Sequence, residues 1–449
     1  MVTELRPKPG PSRSYQFPGF HDEPLANGIR LVVAPVAKLP IATVLVIFEA
    51  GSTNDPPGKE GIAGLTASTL LEGTSRHDGA ALAEMFEQLG TSLESGADWD
   101  SAFVKITVLT DRLGEALKLL GDLIMNPVFP EREIERLKAE RLAEILQLET
   151  EPRGLADERF SSFLYAEDSR YSKPDAGSKE SVGNLTREDV ECFYRSQFTA
   201  AGTTVIIAGD VRMKEMQALV TDMFGSWRSA PVPARPLVSS PRSNKRRIHV
   251  VNKTEAPQSE LRVGHVGLPR RHSDFFPTLV MNAVLGGLFG SRINLNLREV
   301  HGYTYGAHSY YDWRRGAGPF VVSTAVESDV TALAIREILL EIDRIRVEEV
   351  SDEELSLATN YLEGVFPIRY ETTSAIVSAL ASLVIYGLPA DYYDSYRRNI
   401  HDVTTFKLLE AARAHIHPTE LQIVIVGDAG MVEGPLRELD AGDVSIHDA

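Results

Sequence analysis

The chain has 449 residues, 43% hydrophobic and 24% charged, and a formal net charge of −17 from 63 acidic against 46 basic residues. That length suits two or three domains, and the apolar fraction excludes a disordered or fibrous chain. The acidic excess argues against nucleic acid or an anionic membrane as the main partner, and the single Cys192 excludes a disulfide framework or a Cys-rich metal site.

The opening, MVTELRPKPGPSRSYQFPG, has no apolar stretch of a signal peptide, and no apolar run approaches the roughly 20 residues that span a bilayer. A cytoplasmic chain is expected, or a periplasmic one if a leader was removed. Period-two and helical patterns then predict strands over 29–35 and 42–50, helices over 61–71 and 80–89, strands over 91–97 and 102–109, and helices over 111–125 and 130–149. Residues 227–247 shift in composition. Pro231, Pro233, Pro236 and Pro241 deny this stretch a helix and favour an extended, semi-rigid linker. Beyond it the pattern repeats, with strands over 248–252 and 260–267, a helix from Phe275, and long helices over 329–347 and 352–366.

The two halves also resemble each other directly. LTREDVECFYRSQFTAAGTTVIIAGD ends at Asp210 and VTTFKLLEAARAHIHPTELQIVIVGD ends at Asp428, each running from an apolar residue and threonine through a helix-length stretch into a β-branched strand closed by Gly-Asp. Identical spacing predicts an internal duplication of about 220 residues. Because strands and helices come in blocks, the fold class is α+β. We expect two homologous domains, 15–228 and 247–449, joined by a linker at 229–246, each a mixed, mainly antiparallel sheet with helices on one side.

Catalytic motifs are scarce. None of the eleven histidines forms an HxxEH, HExxH or acid-partnered HxxxH pattern. His415 and His417 sit at a helix C-terminus, where the dipole favours a cationic imidazole, and His301 and His308 flank a glycine turn; neither pair reads as a zinc site. A nucleophile elbow, a Walker loop and a dinucleotide fingerprint are all lacking, and Gly286, Gly287 and Gly290 read as a helix junction.

Two segments nevertheless carry a resemblance. EAGSTNDPPGKEGIAGLTASTLLEGTS resembles the signature of the pitrilysin and insulinase-type zinc peptidases, the inverzincins, and LGGLFGSRINLNLREVHGYTYGAHSYY resembles their second-half segment. The similarity is to the two-domain subfamily of bacterial and mitochondrial processing peptidases and respiratory core subunits. It implies a clamshell half. In active members HxxEH supplies two zinc ligands and a general base. Here those positions fall on Gly64, Ala67 and Ser68, and the distal glutamate ligand falls on Glu144. One carboxylate does not hold catalytic zinc, so no metal or other cofactor is expected in this chain.

The family's second-half pair is present as Arg298 and Tyr305, expected on a helix ended by Gly302 and on the strand after it. A guanidinium and a phenol donate to a substrate carbonyl and to the oxyanion formed during hydrolysis. The resemblance therefore implies a subunit inactive alone, pairing with an HxxEH-bearing homologue that holds the zinc. Arg298 and Tyr305 would act at that partner's site on an extended peptide bound to a sheet edge. The alternative is a non-catalytic scaffold or peptide-binding subunit, like the respiratory core proteins. Neither reading invokes nucleic acid or a membrane.

Overall fold

In a computed structural model the chain is described over residues 15–227, 229–233 and 239–448. Arg228, Pro236 and Ala449, on which the linker and domain-end readings partly fall, lie outside the described residues.

Among the described residues twelve strands form two six-stranded sheets. The first contains β1 (His21–Pro24), β2 (Arg30–Pro35), β3 (Ile41–Phe48), β4 (Glu94–Ala97), β5 (Ala102–Leu109) and β6 (Thr203–Gly209), ordered β1-β2-β6-β3-β5-β4. The second contains β7 (Arg247–Asn252), β8 (Gln258–Val266), β9 (Ala307–Tyr311), β10 (Pro319–Glu327), β11 (Gln422–Gly427) and β12 (Asp443–Asp448), ordered β12-β7-β11-β8-β10-β9. Five strands correspond one for one, β2 to β7 through β6 to β11. The sixth breaks the symmetry: β1 lies antiparallel to β2, whereas β12 runs parallel to β7. Both sheets are mixed and mainly antiparallel, as the block pattern predicts.

The repeated Thr positions explain themselves at this level. Thr186 and Thr404 are N-caps whose hydroxyls accept from the amides of Asp189 and Lys407, both at 3.2 Å, so each repeat starts its helix the same way. The strands that follow, β6 and β11, are central and buried along their whole length, which is why both read as unbroken apolar runs.

That two-sided burial requires a cover on each face. The helices of each half pack on one face of its own sheet, and the opposite face is covered by a helix lent by the other half. The helix Pro152–Leu164 leaves the first half and lies on β8 and β11, burying Leu155, Phe160 and Leu164 with Val321, Val424 and Val426. Reciprocally, Thr373–Tyr386 lies on β3 and β6, its Ile376, Val377 and Leu380 joining Leu45, Ile47 and Ile206. Thr43 Oγ1 and Thr373 Oγ1 share a buried hydrogen bond of 2.8 Å at this seam.

The β9–β10 loop adds a polar lock between the halves. Arg314 is buried against the rings of Trp99 and Tyr171, its guanidinium carbon 4.1 and 4.7 Å from their centroids, and its Nε donates to Asp312 at 2.8 Å. Beside it the Arg315 amide donates to Asp100, and the Tyr165 hydroxyl donates to the Ala317 carbonyl at 2.9 Å. The halves thus form one interlocked body. Among the described residues no single helix is long and apolar enough to cross a membrane.

Candidate functional site

The segment resembling the metal motif forms the helix Ile62–Thr69. Its start is built by Asp55, whose buried carboxylate accepts from the amides of Gly61 and Ala63 at 2.8 and 3.1 Å and from Arg170 Nη2 at 2.8 Å. Burial pushes Asp55 up to about 6, against the opposing pull of Arg170 and the two amides. Gly61 has a φ of 94°, and a Cβ there would meet the Ala176 carbonyl oxygen at 2.6 Å, so only glycine lets the loop reach this close. Asp55 and Arg170 were not legible as a pair, because 115 positions separate them without a periodic signal.

From this helix Gly64 and Ser68 face a cavity of about 350 Å³, closed on the far side by Glu140, Arg141 and Glu144 of the helix Glu131–Thr150. Three of the four degenerate positions therefore converge. Ala67 does not: it is fully buried in the first core. A Cβ built on Gly64 meets nothing within 4 Å, so the space a larger side chain would fill is open.

The donor set does not fit a zinc ion. Glu144 is held by Arg141 Nη1 at 2.7 Å, and Arg141 Nε also donates to the Ala176 carbonyl. Glu140 is held by Arg136 Nη1 at 2.8 Å. The two carboxylates are thus matched by guanidinium groups of their own helix, and no imidazole lines the cavity. Arginine occupies the electrostatic role that a bound cation would take. The sequence signal for Arg141 was its place three positions before Glu144, a spacing that brings helical side chains together.

Arg298 and Tyr305 lie elsewhere, and neither lines this cavity. Arg298 is on a π-helical turn, Leu295–Val300, a geometry common at functional positions. Its guanidinium carbon lies 4.6 Å from the centroid of Phe289 and its Nε is 3.6 Å from Glu299. Gly302 is left-handed, φ 68°, as expected of a residue turning the chain out of a helix. Tyr305 is not on the following strand, however. β9 begins at Ala307, and Tyr305 sits in the loop before it, 94% exposed and without a hydrogen-bond partner among the described residues. The reason is local: Asn294 Oδ1 accepts the Ala307 amide and Thr304 Oγ1 accepts the Gly306 amide, so these amides serve a turn and not a ladder. Among the described residues no hydrogen bond or cation–π contact joins Arg298 and Tyr305.

Residues the sequence reading missed fix this region. Arg292, buried, makes a two-pronged contact with Glu354, Nε to Oε1 at 2.6 Å and Nη2 to Oε2 at 3.0 Å. Arg292, together with the Ser351 amide and hydroxyl, pulls the Glu354 carboxyl down to about 2. The glycines of LGGLFGSR act by close approach: a Cβ on Gly286 would lie 2.4 Å from Ser309 Oγ, which itself donates to Asn282. No phosphate-binding geometry is involved. Of the histidines, His301 stacks on Tyr303 and His308 on Tyr310. His415 and His417 part company: His415 Nε2 meets Asp274 Oδ2 at 2.7 Å, and the His417 amide donates to His265.

The sequence profile of insulinase (peptidase family M16) matches residues 31–172, and that of the peptidase M16 inactive domain matches residues 184–362. Similar curated proteins include a non-peptidase homolog YmxG of Helicobacter pylori, 23% identical over 87% of this chain and 90% of its own. A probable mitochondrial-processing peptidase subunit beta of Arabidopsis thaliana is 24% identical over 90% of this chain and 77% of its own. Among solved structures, a peptidase M16 inactive domain from Pseudomonas fluorescens superposes with a TM-score of 0.86 at 24% identity, covering 91% of this chain and 98% of that one. A protease from Helicobacter pylori gives 0.85 at 19%, covering 92% and 100%. These likenesses establish the fold; with both profiles matched and the metal motif replaced by Gly64, Ala67 and Ser68, the chain belongs to the insulinase-type M16 peptidase family as a catalytically incomplete member.

Proposed function

We propose that this chain is the subunit without the catalytic zinc motif in a heteromeric metallopeptidase, completing with Arg298 and Tyr305 the active site of an HxxEH-bearing homologue. The observation that carries the reading is the presentation of Tyr305. A phenol that is 94% exposed and, among the described residues, without a hydrogen-bond partner, on a loop pinned by Asn294 and Thr304, is held out to solvent. Arg298 stands on the same segment against Phe289 and Glu299, and Phe289 and Val300 are themselves 71% and 74% exposed. An apolar, exposed rim of this kind around a cation suits burial against another protein.

In the mechanism we infer, the homologue's HxxEH residues would hold a zinc ion that supplies Lewis-acid activation of water, while the residues of this chain act on the carbonyl. Arg298 neutralises charge developing on the oxygen, and the Tyr305 hydroxyl donates to it. The peptide lies extended on a sheet edge, bonded mainly through its backbone, which tolerates varied side chains. Of the four edge strands β1, β4, β9 and β12, β4 borders the degenerate cavity through Gly96 and Ala97.

The test is turnover of a reconstituted pair. Arg298→Ala and Tyr305→Phe in this chain should each lower kcat of the mixture by roughly 10²-fold, the size of losing one oxyanion donor, with assembly unchanged in size-exclusion chromatography. Unchanged kcat in both variants would assign the chain to the scaffold role instead.

A further inference from the structure

Away from both features, the second half gathers three metal-ligating side chains that the sequence does not place together. His272 and Asp274 lie in the loop that starts the helix Phe275–Asn282, and His415 is the last residue of the helix Thr405–His415; the two helices pack side by side. One ligand atom from each of the three residues lies within 4.8 Å of the other two. The His272 and His415 rings face each other edge to face, with centroids 5.0 Å apart. His415 is nearly buried, with 11% of its side chain exposed, while the Asp274 carboxylate is 46% exposed.

The hydrogen bonds show how a cation would enter. His415 Nε2 donates its proton to Asp274 Oδ2 at 2.7 Å, and a metal ion replacing that proton gains both atoms as ligands once the ring keeps its hydrogen on Nδ1. His272 Nδ1 accepts the Asp274 amide at 3.1 Å, and one ligand atom of its ring lies within 4.8 Å of those of Asp274 and His415. Two imidazoles and one carboxylate are the donor set of borderline divalent ions, zinc foremost, and they leave a fourth position for water. On the side of Asp274 an open cavity of about 580 Å³, bordered also by Asp402, Lys407 and Glu410, gives access from solvent.

We propose that His272, Asp274 and His415 form a zinc site that clasps the start of Phe275–Asn282 to the end of Thr405–His415. It is separate from the degenerate motif, which lies in the first half, so metal bound by the isolated chain reports this clasp and not a peptidase centre.

The experiment uses the full chain stripped with a chelator, titrated with zinc chloride by calorimetry and with cobalt chloride by visible absorption. About one zinc per chain should bind, cobalt should give a d–d band of low-symmetry coordination, and the melting temperature should rise with zinc. His272→Ala and His415→Ala should each weaken uptake tenfold or more, whereas Glu144→Gln should leave it unchanged. His272→Ala, confined to a loop, guards against a folding artefact at His415. Failure of the stripped chain to bind zinc at about 100 µM, uptake that persists in the His272→Ala/His415→Ala double variant, or uptake abolished by Glu144→Gln would each overturn the assignment.

Discussion

Removing Arg170 tests how the helix that frames the degenerate cavity is held in place. Asp55 has no exposed side-chain surface, and among the described residues Arg170 is its one cationic partner, beside the amides of Gly61 and Ala63. Arg170→Ala therefore leaves a buried carboxylate uncompensated, a change that costs about 3–5 kcal/mol. The loss must depend on pH. Asp55 already takes up its proton near pH 6 in the folded chain, above the ordinary carboxylate range. Its folded state thus binds a proton more tightly than its unfolded state, and its contribution to stability declines as pH rises through about 4 to 6. Without Arg170 the group titrates higher still. At about pH 8 the variant carries the unpaired charge. At about pH 5 Asp55 is largely neutral in both proteins, and what remains is the loss of the Arg170 hydrogen bonds to the Lys173, Pro174 and Asp175 carbonyls, about 1–2 kcal/mol. Urea denaturation of both proteins at the two pH values measures the difference. A destabilisation that is equal at both, or larger at pH 5, refutes the reasoning.

Other substitutions read other parts of the structure. Gly64→His, with open space at its Cβ, should change stability by less than about 1 kcal/mol, whereas Ala67→Glu forces a carboxylate into the first core and should cost at least about 2 kcal/mol; parallel thermal melts separate the two. Arg292→Ala should destabilise by about 1–3 kcal/mol near neutral pH and by less near pH 3. The Glu354 carboxyl is held low in the fold, so its contribution is present above its ordinary range and fades as pH falls toward about 2; denaturation midpoints at the two pH values check the sign. Gly286→Ala should cost about 1–3 kcal/mol, because its Cβ would press on Ser309, which is itself fixed by Asn282; a melt compared with that of Gly290→Ala, where the nearest atom is a Leu357 side-chain carbon at 3.4 Å, isolates the clash.

The duplication was legible because Leu185–Asp210 and Val403–Asp428 share caps and buried central strands, and both devices leave local signatures. The lent helices were not. Pro152–Leu164 has no regular apolar stripe and Thr373–Tyr386 is apolar nearly all round, since each is packed by a sheet from the opposite half that no local pattern announces. The cavity is legible in part: helical spacing places Gly64 and Ser68 on one face and sets Arg141 three positions before Glu144, while their convergence across two helices has no local signature. Tyr305 was expected one element too far on, because capping by Asn294 and Thr304 side chains outcompetes the extension of β9.

Peptide hydrolysis by this chain, alone and mixed with an HxxEH-bearing homologue from the same genome, tests the central claim most directly. Hydrolysis, and not metal content, is the proper readout, because zinc on the isolated chain has its own explanation in His272, Asp274 and His415. The account predicts no turnover by the chain alone, turnover by the mixture above that of the homologue alone, and loss of that gain with Arg298→Ala. Zinc-dependent turnover by the pure isolated chain, or a mixture no faster than the homologue by itself, would contradict it.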